Sequence, residues 1–444
     1  MCIRDRCNVY LDAGAYPGSF IENACNTAYA PYNIPNLQLR GYDIVTNKPK
    51  TGAYRAPGTP NSALAVETAI DEISKKLKID PVQLRLKNAA DKGTRKADGT
   101  IYPEIGMIET ANSVLQHQHY SESLPKSSSK SFKVGRGIAF GYSGNINGAA
   151  TVIGNVVEDG TITLIIGAVD IGGTRISIAQ QFAEVLGIDP TLINPTVADT
   201  DSIGYTSASV GSSASHKNGW AAYQCALDVK DQLEERVSKI WNVPKNTVVF
   251  GNGYAKSKMD SKLIMSLKEL ASLLDETGGP ITGRGNVDAR GCSGSFSANI
   301  VDLEIDIETG KVNILKYTAF QDAGKAIHPS YVEGQIQGGT VQGIGWALHE
   351  EYVFDDNGKM ANPSLLDYRM PTSWDVPMID THIIEHYNPG HPYGARGVGE
   401  SSIVPPLPAI SNAISDAIGL RIPEIPMSPT VSYTHLTLPT NREV

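Results

Sequence analysis

A single carboxylate stands among glycines in the segment YGARGVGESSIVPP, residues 393–406. Glu400 follows Gly399 directly, and a Ser-Ser pair and prolines come after it. A glutamate on a glycine-rich loop beside a pocket can have its pKa raised by desolvation and act as a general base. Most glutamates are simply solvated at the surface, so this segment alone leaves both interpretations open.

Five glycines interrupt a helical pattern in GQIQGGTVQGIG, residues 334–345. Each glycine inside a helix costs about 0.5–1 kcal/mol relative to alanine, so either another backbone or a ligand is expected to approach closely. The side chains of Gln335, Gln337 and Gln342 favour a ligand, because an amide offers both a donor and an acceptor. Close packing is the alternative.

Two loops of small residues precede helical patterns and would expose backbone N–H groups that suit an anion. They are VGSSASHKNG, residues 210–219, which contains Gly211 and Ser212, and DIGGTR, residues 170–175. An ordinary helix cap is the alternative for each loop. Arg55 in GAYRAPGTP could present its fork of donors to an anionic group or a metal-oxo ligand, or be a salt-bridged surface arginine.

Several catalytic patterns are absent from the sequence, which has no GxSxG, HExxH, GxxxxGK[ST] or strand-following GxGxxG motif. The missing GxGxxG disfavours a nucleotide-dependent dehydrogenase. The five cysteines include no CxxC pair. We therefore expect neither a disulfide framework nor a thiolate set for zinc or an iron–sulfur cluster, and a reducing, cytoplasmic location.

The composition is ordinary for a globular protein, with 41% hydrophobic and 19% charged residues and a formal net charge of −9. Lysines and arginines are scattered, which argues against a nucleic-acid or anionic-membrane surface. No apolar run approaches the roughly 20 residues that a membrane span needs. A chain of 444 residues is long enough for two or three domains.

The elements that must position these residues are helices and strands in no strict β-α-β order, which predicts an α+β fold. Residues 8–50 are interpreted as strands and loops, and alternating patterns predict hairpins that turn at residues 158–160 and 308–310. Helical patterns cover residues 62–79, 81–89, 175–188, 219–241, 266–274, 334–351 and 408–419.

Residues 7–120 and 135–430 are predicted to form two domains, joined by a Ser/Lys-rich linker at residues 121–134. Both ends of the chain, residues 1–6 and 431–444, resemble translated sequencing adapters and are excluded from this fold prediction. The remaining sequence opens on a strand-like NVYLDAGAY, so an N-terminal part is expected to be missing.

Three segments in a fixed order resemble the molybdopterin-binding large subunit of the xanthine dehydrogenase/aldehyde oxidase family of molybdenum hydroxylases. They are GAYRAPGTPNSALAVETAIDEISKKLKIDPVQLRLKNA, DAGKAIHPSYVEGQIQGGTVQGIGWALHEE and GARGVGESSIVPPLPAISNAISDAIG. The resemblance covers about residues 8–430 and corresponds to a C-terminal fragment of that subunit. The two predicted domains are then the end of its first molybdopterin-binding domain and most of its second.

The resemblance implies two mixed α/β subdomains and a molybdenum–molybdopterin cofactor, in its cytosine dinucleotide form, held by the pterin dithiolene and not by protein side chains. No protein metal ligand is therefore expected. The implied activity is oxidative hydroxylation of an aldehyde or an aromatic N-heterocycle with water-derived oxygen. Electrons would leave through iron–sulfur clusters to FAD on partner chains or domains of an oligomeric complex.

The family's functional residues carry over to individual positions of this sequence. Glu400 matches the catalytic base, and Arg55 matches an arginine close to the molybdenum. The predicted cofactor-binding residues are Arg55, Gly211, Ser212, Gln335 and Gly399.

Three positions depart from family patterns. Pro57 replaces the aromatic residue that stacks on purines, and Asn23 aligns with a substrate arginine, so purine oxidation is disfavoured. Ala56 replaces the cysteine of aerobic carbon monoxide dehydrogenases. The loop DIGGTR lacks the glutamine of the family's GQG, which removes one expected hydrogen bond to the cofactor.

A non-catalytic paralogue or an inactive fragment of the same fold is the alternative. The missing glutamine favours it, whereas the retained Glu400, Arg55 and Gln335 argue against it. We do not expect the fragment alone to hold the cofactor or to be active.

Overall fold

The computed structural model describes residues 4–291 and 293–437, and the chain folds there as the predicted α+β protein with several separate sheets. The helices, in chain order, are α1 (Ile21–Thr27), α2 (Thr59–Leu77), α3 (Pro81–Lys87), α4 (Met107–Gln116), α5 (Gln118–Ser121), α6 (Thr174–Leu186), α7 (Ala214–Trp241), α8 (Leu267–Ser272), α9 (Leu274–Thr277), α10 (Pro329–Leu348), α11 (Pro406–Ile418) and α12 (Pro429–Thr437).

The strands form four sheets. The strands are β1 (Arg4–Gly14), β2 (Asn36–Val45), β3 (Phe132–Ser143), β4 (Gly148–Val156), β5 (Ile162–Ile166), β6 (Ile193–Val197), β7 (Val248–Gly251), β8 (Tyr254–Ser257), β9 (Ile264–Ser266), β10 (Thr282–Ala289), β11 (Ser295–Asp306), β12 (Val312–Asp322) and β13 (Ile379–Ile384). A parallel pair β1-β2, a sheet β10-β4-β5-β6, a sheet β13-β12-β11-β3 and a sheet β7-β8-β9 result.

The predicted local patterns are largely confirmed. Strands β4 and β5 pair antiparallel, as do β11 and β12, so both predicted hairpins are present. Helix α3 begins after Asp80, whose carboxylate accepts hydrogen bonds from the N–H groups of Val82 and Gln83. Helix α6 ends at Gly187, which has the left-handed conformation typical of a helix C-terminus.

One prediction is wrong within residues 8–50, where the sequence favoured strands and loops. Helix α1 lies there and buries Ala24 completely while packing against α2. Seven residues span only two helical turns, which is too short for the periodic signal that reveals longer helices. Packing against a neighbouring element stabilises this helix.

Helix α11 and the sheet that contains β3 form the layer beneath the site. Side chains of α11 such as Leu407, Ile410 and Ile414 are fully buried together with Leu303 of β11. Gly137 of β3 lies so close to α11 that an added Cβ would be 1.9 Å from the Ala409 carbonyl oxygen. This close packing fixes the start of α11, which directly follows the Glu400 segment.

The alternating face of β11 that carries acids is buried, although such a pattern is typical of a solvated face. Asp302 is 1% exposed and receives a hydrogen bond from Arg136 Nε at 2.6 Å. Glu304 accepts a hydrogen bond from the Ser128 N–H at 2.9 Å. Arg136 of the neighbouring strand β3 and Ser128 of the segment before it therefore satisfy these buried carboxylates.

The predicted domain boundaries stay predictions. Residues 122–131 contain no helix or strand, but β3 begins at Phe132, inside the predicted linker. Residues 4–6 lie in β1 and residues 431–437 in α12, and the rest of both predicted adapter segments is outside the described residues. In the described part of the chain, none of the helices combines the length and apolar character needed to cross a bilayer.

Candidate functional site

A cavity of about 900 Å³ lies where five distant parts of the chain meet. These parts are the loop before α2, the end of β3, the start of α7, helix α10 and the loop before α11. The predicted catalytic base and all five predicted cofactor-binding residues line this cavity: Glu400, Arg55, Gly211, Ser212, Gln335 and Gly399. The structure thus brings them together, while their individual roles stay predictions.

Glu400 is a partly buried carboxylate that accepts hydrogen bonds from two serines. The hydroxyls of Ser143 and Ser212 donate to its Oε2 at 3.2 and 3.3 Å, and the Ala56 N–H also bonds the carboxylate. Burial raises the pKa of Glu400, while these bonds and the charge of Arg55 partly oppose the shift. The result is a carboxylate of increased basicity that faces the cavity.

Two of the groups that hold Glu400 come from residues with an uncommon backbone. Ala56 and Ser212 have φ values of 54° and 53°, in the left-handed region that non-glycine residues rarely adopt. Such strain costs on the order of 1–3 kcal/mol and is frequent at functional sites. Here it aims one N–H and one hydroxyl at the same carboxylate.

Arg55 is bonded to protein oxygens and is not the salt-bridged surface residue that was the alternative. Its Nη1 donates to Gln342 Oε1 at 2.9 Å, and its Nη2 donates to the carbonyl and the side-chain oxygen of Gln335 at 3.1 and 3.0 Å. Its Nε donates to the Gly399 carbonyl. Burial lowers the pKa of Arg55, and the charge of Glu400 opposes this shift. Arg55 thus joins α10 to the loop that carries Glu400.

The two glycines closest before Glu400, Gly397 and Gly399, differ in how much space surrounds them. A Cβ on Gly397 would lie 1.8 Å from the Ser212 carbonyl oxygen, so only glycine fits this approach of two loops. On Gly399 the nearest atom would be Ser212 Oγ at 3.4 Å, an ordinary contact. Gly397 is therefore required by protein packing, whereas Gly399 leaves bare backbone beside the cavity.

The glycines of α10 were expected to allow either close packing or the approach of a ligand, and they do not all have the same explanation. A Cβ on Gly339 would meet Ser402 Oγ at 1.9 Å, and one on Gly343 would meet Pro406 at 2.6 Å. Gly334 and Gly338 have no other heavy atom within 4 Å of such a Cβ. Close packing therefore accounts for part of the pattern. Gln337 donates to the Ile379 carbonyl oxygen at 3.4 Å and is not among the cavity-lining residues.

The two small-residue loops both reach the cavity at helix N-termini. Ser213 precedes α7, but its hydroxyl donates to the Val210 carbonyl and makes no cap bond. Gly173 precedes α6 and has no side chain that could cap it. Ser213 gives α7 no side-chain cap, so the first N–H groups of α7 favour an anion at this side of the cavity. In α6 the Arg175 N–H donates to the Asp170 carboxylate at 3.2 Å, so a protein carboxylate already occupies that N-terminus.

Two of the positions that depart from family patterns, Asn23 and Pro57, lie in the cavity wall, whereas Ala56 is buried behind it. Asn23 donates to the Pro57 carbonyl at 2.5 Å and to Thr59 Oγ1 at 3.3 Å. Both Asn23 and Pro57 line the cavity. Asn23 thus fixes the loop that carries Arg55.

Three residues of the site were missed or undervalued by sequence reasoning. Ser143, at the end of β3, bonds Glu400 from 257 residues away, and no local pattern marks it. Asn145 holds Gly397 through bonds to its N–H and carbonyl at 3.1 and 3.3 Å. Gln342 and Gln335 both accept hydrogen bonds from Arg55. They are seven residues apart on α10, which is two helical turns, so their spacing could have predicted that they lie on the same face of the helix.

The donor set fits an anionic, ring-containing cofactor. The first N–H groups of α7 and the amide of Gln335 offer donors at one cavity. No cluster of three or more His, Cys, Asp or Glu side chains suited to a metal ion occurs in residues 4–291 and 293–437.

Comparisons with known proteins show which family this chain belongs to. A family model described as a molybdopterin cofactor-binding domain matches residues 113–377, and a second model with the same description matches residues 5–89. Glu400 lies outside both matched ranges. The xanthine dehydrogenase molybdenum-binding subunit of Escherichia coli O157:H7 is 30% identical over 427 residues, covering 88% of this chain and 54% of the relative.

Two further relatives come from other bacteria. Subunit gamma of the 6-hydroxypseudooxynicotine dehydrogenase complex of Paenarthrobacter nicotinovorans is 29% identical over 429 residues, covering 90% of this chain and 53% of the relative. The crystal structure of quinoline 2-oxidoreductase from Pseudomonas putida 86 superposes with a TM-score of 0.87 at 22% identity, over 98% of this chain and 59% of that one. The chain spans about half the length of the curated relatives it matches.

Proposed function

Because this chain belongs to the molybdopterin cofactor-binding family of molybdenum hydroxylase large subunits, we propose that it forms the part of a catalytic subunit that carries the base. The reaction is oxidative hydroxylation of an aldehyde or an aromatic N-heterocycle. One observation carries this proposal: Glu400, Arg55 and Gln335, which are far apart in sequence, line one cavity.

Glu400 acts as the proton acceptor at its Oε2 atom. Burial raises the pKa of this carboxylate, so its ionised form binds a proton more readily than a solvated glutamate does. The hydroxyls of Ser143 and Ser212 hold Oε2 in place. Such general-base assistance typically contributes about 10²–10⁴-fold to the rate.

The cofactor is bound by residues that surround the base. When present, molybdenum–molybdopterin would supply the two-electron redox chemistry, with the transferred oxygen coming from water. Gln335, Gly211, Ser212 and Gly399 hold it through amide and backbone groups, and we propose its cytosine dinucleotide form. Arg55 orients the Gly399 carbonyl next to the base and keeps one of its five N–H donors free.

The subunit works in a larger assembly. The Paenarthrobacter relative is named as a subunit of a complex, which supports partner chains here. We propose that iron–sulfur and FAD domains or subunits accept the electrons of an oligomeric cytoplasmic enzyme. Cys7, Cys25 and Cys225 are free, which suits a reducing compartment.

The test uses the complete gene product, expressed with its partner subunits, and compares wild type with Glu400→Gln. Dye reduction would be measured against a panel of aldehydes and N-heterocycles, and molybdenum content would be measured for each preparation. Turnover is expected to fall at least 100-fold in Glu400→Gln at unchanged molybdenum content. The surface change Glu158→Gln is the matched control and is expected to keep wild-type turnover.

Two results would contradict the proposal. If Glu400→Gln turns over like wild type at equal molybdenum content, Glu400 is not the base. If the folded, complete complex binds no molybdenum, the chain is a non-catalytic relative of the same fold.

A further inference from the structure

A long loop joins α10 to β13. Residues 349–378 contain no helix or strand, apart from one isolated bridge between Phe354 and Met360. Loops longer than about 12–15 residues without secondary structure are uncommon in compact domains, and many of them are binding loops. The length of this α10–β13 loop therefore suggests a function of its own.

Some residues of the α10–β13 loop anchor it to the fold. A Cβ added to Gly345 of α10 would lie 2.7 Å from Pro371 Cδ, so Pro371 packs directly on the helix. The Tyr368 hydroxyl donates to Glu350 Oε2 at 2.6 Å, and Val376 packs against the core formed with α10 and α11. These contacts set the course of the loop from within the protein.

The large apolar side chains of this loop are nevertheless exposed. Six of them are at least 54% exposed, and none lines the cavity: Tyr352, Leu365, Leu366, Met370, Trp374 and Met378. Trp374 is 96% exposed. Single exposed apolar residues are ordinary, but this many in one anchored loop indicates a surface that another molecule covers. Trp and Met are also enriched at protein–protein interfaces.

The exposed charges of the α10–β13 loop are mainly acidic. The exposed acids outnumber the exposed bases, with Glu351, Asp355, Asp356, Asp367 and Asp375 against Lys359 and Arg369. A second copy of this chain docked through the same surface would bring two acidic sets together, which like-charge repulsion opposes. The negative surface of a cytoplasmic membrane is disfavoured for the same reason. A complementary surface must therefore carry cations around an apolar centre.

We propose that the α10–β13 loop is a docking surface for a partner protein chain. The contact surface of that chain is apolar at its centre and rich in lysine and arginine around it. Trp374 and Met378 are buried against the apolar centre, and Glu351 and Asp356 lie opposite the cations. The inference rests on the partner chains of the proposed assembly and not on the hydroxylation chemistry.

The first test uses the complete gene product assembled with its partner subunits, and a water-soluble carbodiimide that joins carboxylates to lysine amines in contact with them. Mass spectrometry identifies the lysines joined to Glu351, Asp356 and Asp367. We expect lysines of a partner subunit. The inference is overturned if no cross-links form. It is also overturned if cross-links lead only to the rest of this subunit, or to a second copy in complexes that mix isotopically labelled and unlabelled copies.

The second test disrupts the apolar centre. Met378→Glu is expected to raise the Kd of the partner subunit about tenfold or more, measured by mass photometry of the diluted complex. Met259→Glu is the matched control, since Met259 and Met378 are 71% and 87% exposed and Met259 follows β8 in another part of the fold. Urea denaturation checks folding, and Trp374→Glu repeats the test at a second position. A wild-type Kd in both folded loop variants would contradict the docking surface.

The third test addresses the charges. Glu351→Lys is expected to raise the Kd about threefold or more in low-salt buffer, and the difference from wild type should shrink as salt is added. Glu158→Lys makes the same change at an exposed glutamate in the turn between β4 and β5 and should keep the wild-type Kd. Equal effects of the two variants would remove the argument from charge.

Dye reduction by the same preparations separates this inference from the proposed function. A partner subunit cross-linked to the α10–β13 loop in a complex that turns over no substrate would support the docking surface and contradict the hydroxylase function. Turnover by a complex whose loop contacts no partner chain would support the hydroxylase function and overturn the docking surface.

Discussion

Glu67 with Arg85 and Glu400 with Arg55 are two neighbouring glutamates and arginines that are bonded differently. Glu67 and Arg85 are 2% and 0% exposed, with Arg85 Nη2 only 2.8 Å from Glu67 Oε2. No such ion pair joins Glu400 and Arg55 in the described structure, because Arg55 donates to amide and carbonyl oxygens instead. The first pair cancels its charges internally, whereas the second keeps its carboxylate without a cationic partner.

The other contacts of Glu67 and Glu400 also differ. Glu67 also accepts hydrogen bonds from the Tyr32 hydroxyl and from the Phe140 N–H, the latter at 2.8 Å. Burial acts to lower the pKa of Arg85, but the charge of Glu67, its hydrogen bond to Arg85 and the charges of Tyr32 and Asp71 together raise that pKa. For Glu400, burial is the largest influence and raises the pKa. A paired carboxylate stabilises the fold, and a desolvated carboxylate without a direct ion pair can take up a proton.

The largest expected effect is a difference in the free energy of unfolding between Glu67→Gln and Glu400→Gln. Glu67→Gln leaves Arg85 buried without a counter-charge and should lower the free energy of unfolding by about 3–5 kcal/mol. Glu400→Gln breaks no ion pair and should change it by less than about 1 kcal/mol. Urea denaturation of both variants measures this, and equal losses would remove the distinction.

The next effect concerns the arginines. Arg55→Lys loses the fork that bonds α10 and the Gly399 carbonyl together, so misplacement of Glu400 should lower kcat/KM about 100-fold. The free energy of unfolding should stay within about 1 kcal/mol of wild type. The exposed Arg40→Lys is the control for the chemical change alone. Wild-type kcat/KM in Arg55→Lys would show that the fork does not position the base.

A smaller effect appears in the pH dependence. The hydroxyls of Ser143 and Ser212 lower the pKa of Glu400, so removing either by alanine raises it further and the ionised base is lost at a higher pH. The acid limb of the kcat/KM profile should move to higher pH, with kcat/KM roughly two- to tenfold lower on that limb and unchanged at alkaline pH.

The matched control for this prediction is Ser128→Ala. Its hydroxyl donates to Glu304 Oε1 at 2.8 Å, a bond of the same kind outside the cavity. The profile of this variant should match that of wild type. An acid limb that also stays in place for Ser143→Ala and Ser212→Ala would mean that Glu400 does not control it.

The smallest expected effect on stability is that of Gly399→Ala, and Gly137→Ala is the contrasting variant beside the other glutamate and arginine. Gly399→Ala adds an ordinary contact at 3.4 Å and should change the free energy of unfolding by about 0.5 kcal/mol or less. Gly137→Ala, next to the Ile138 carbonyl that Arg85 bonds, would place a Cβ 1.9 Å from Ala409 and should unfold the chain far more readily. Molybdenum content of the Gly399→Ala complex then reports whether the cofactor needs this bare backbone. Equal destabilisation would show that the Glu400 loop is packed as tightly as the core.

Residues in local motifs were predictable, and residues that act across the fold were not. Glu400 and Gln335 stand in glycine-rich segments whose composition draws attention to them. Ser143 is one serine at the end of a strand, and only the pairing of β3 with β11 and the packing of α11 carry it to Glu400. Gln337 was grouped with the other amides, yet its side chain bonds β13 because it lies on another face of α10.

The sequence by itself determined the presence and period of the longer helices, the two hairpins and the segments where chemistry is concentrated, because these depend on residues close together in the chain. The helix ends were less well determined, since α7 and α10 each begin five residues before the predicted start. Only the tertiary structure decided that Arg55 bonds amides and carbonyls instead of a carboxylate, and that Glu400 is desolvated without a direct ion pair. Both facts depend on which distant segments meet, since burial and the placement of charges are set by packing and not by local spacing.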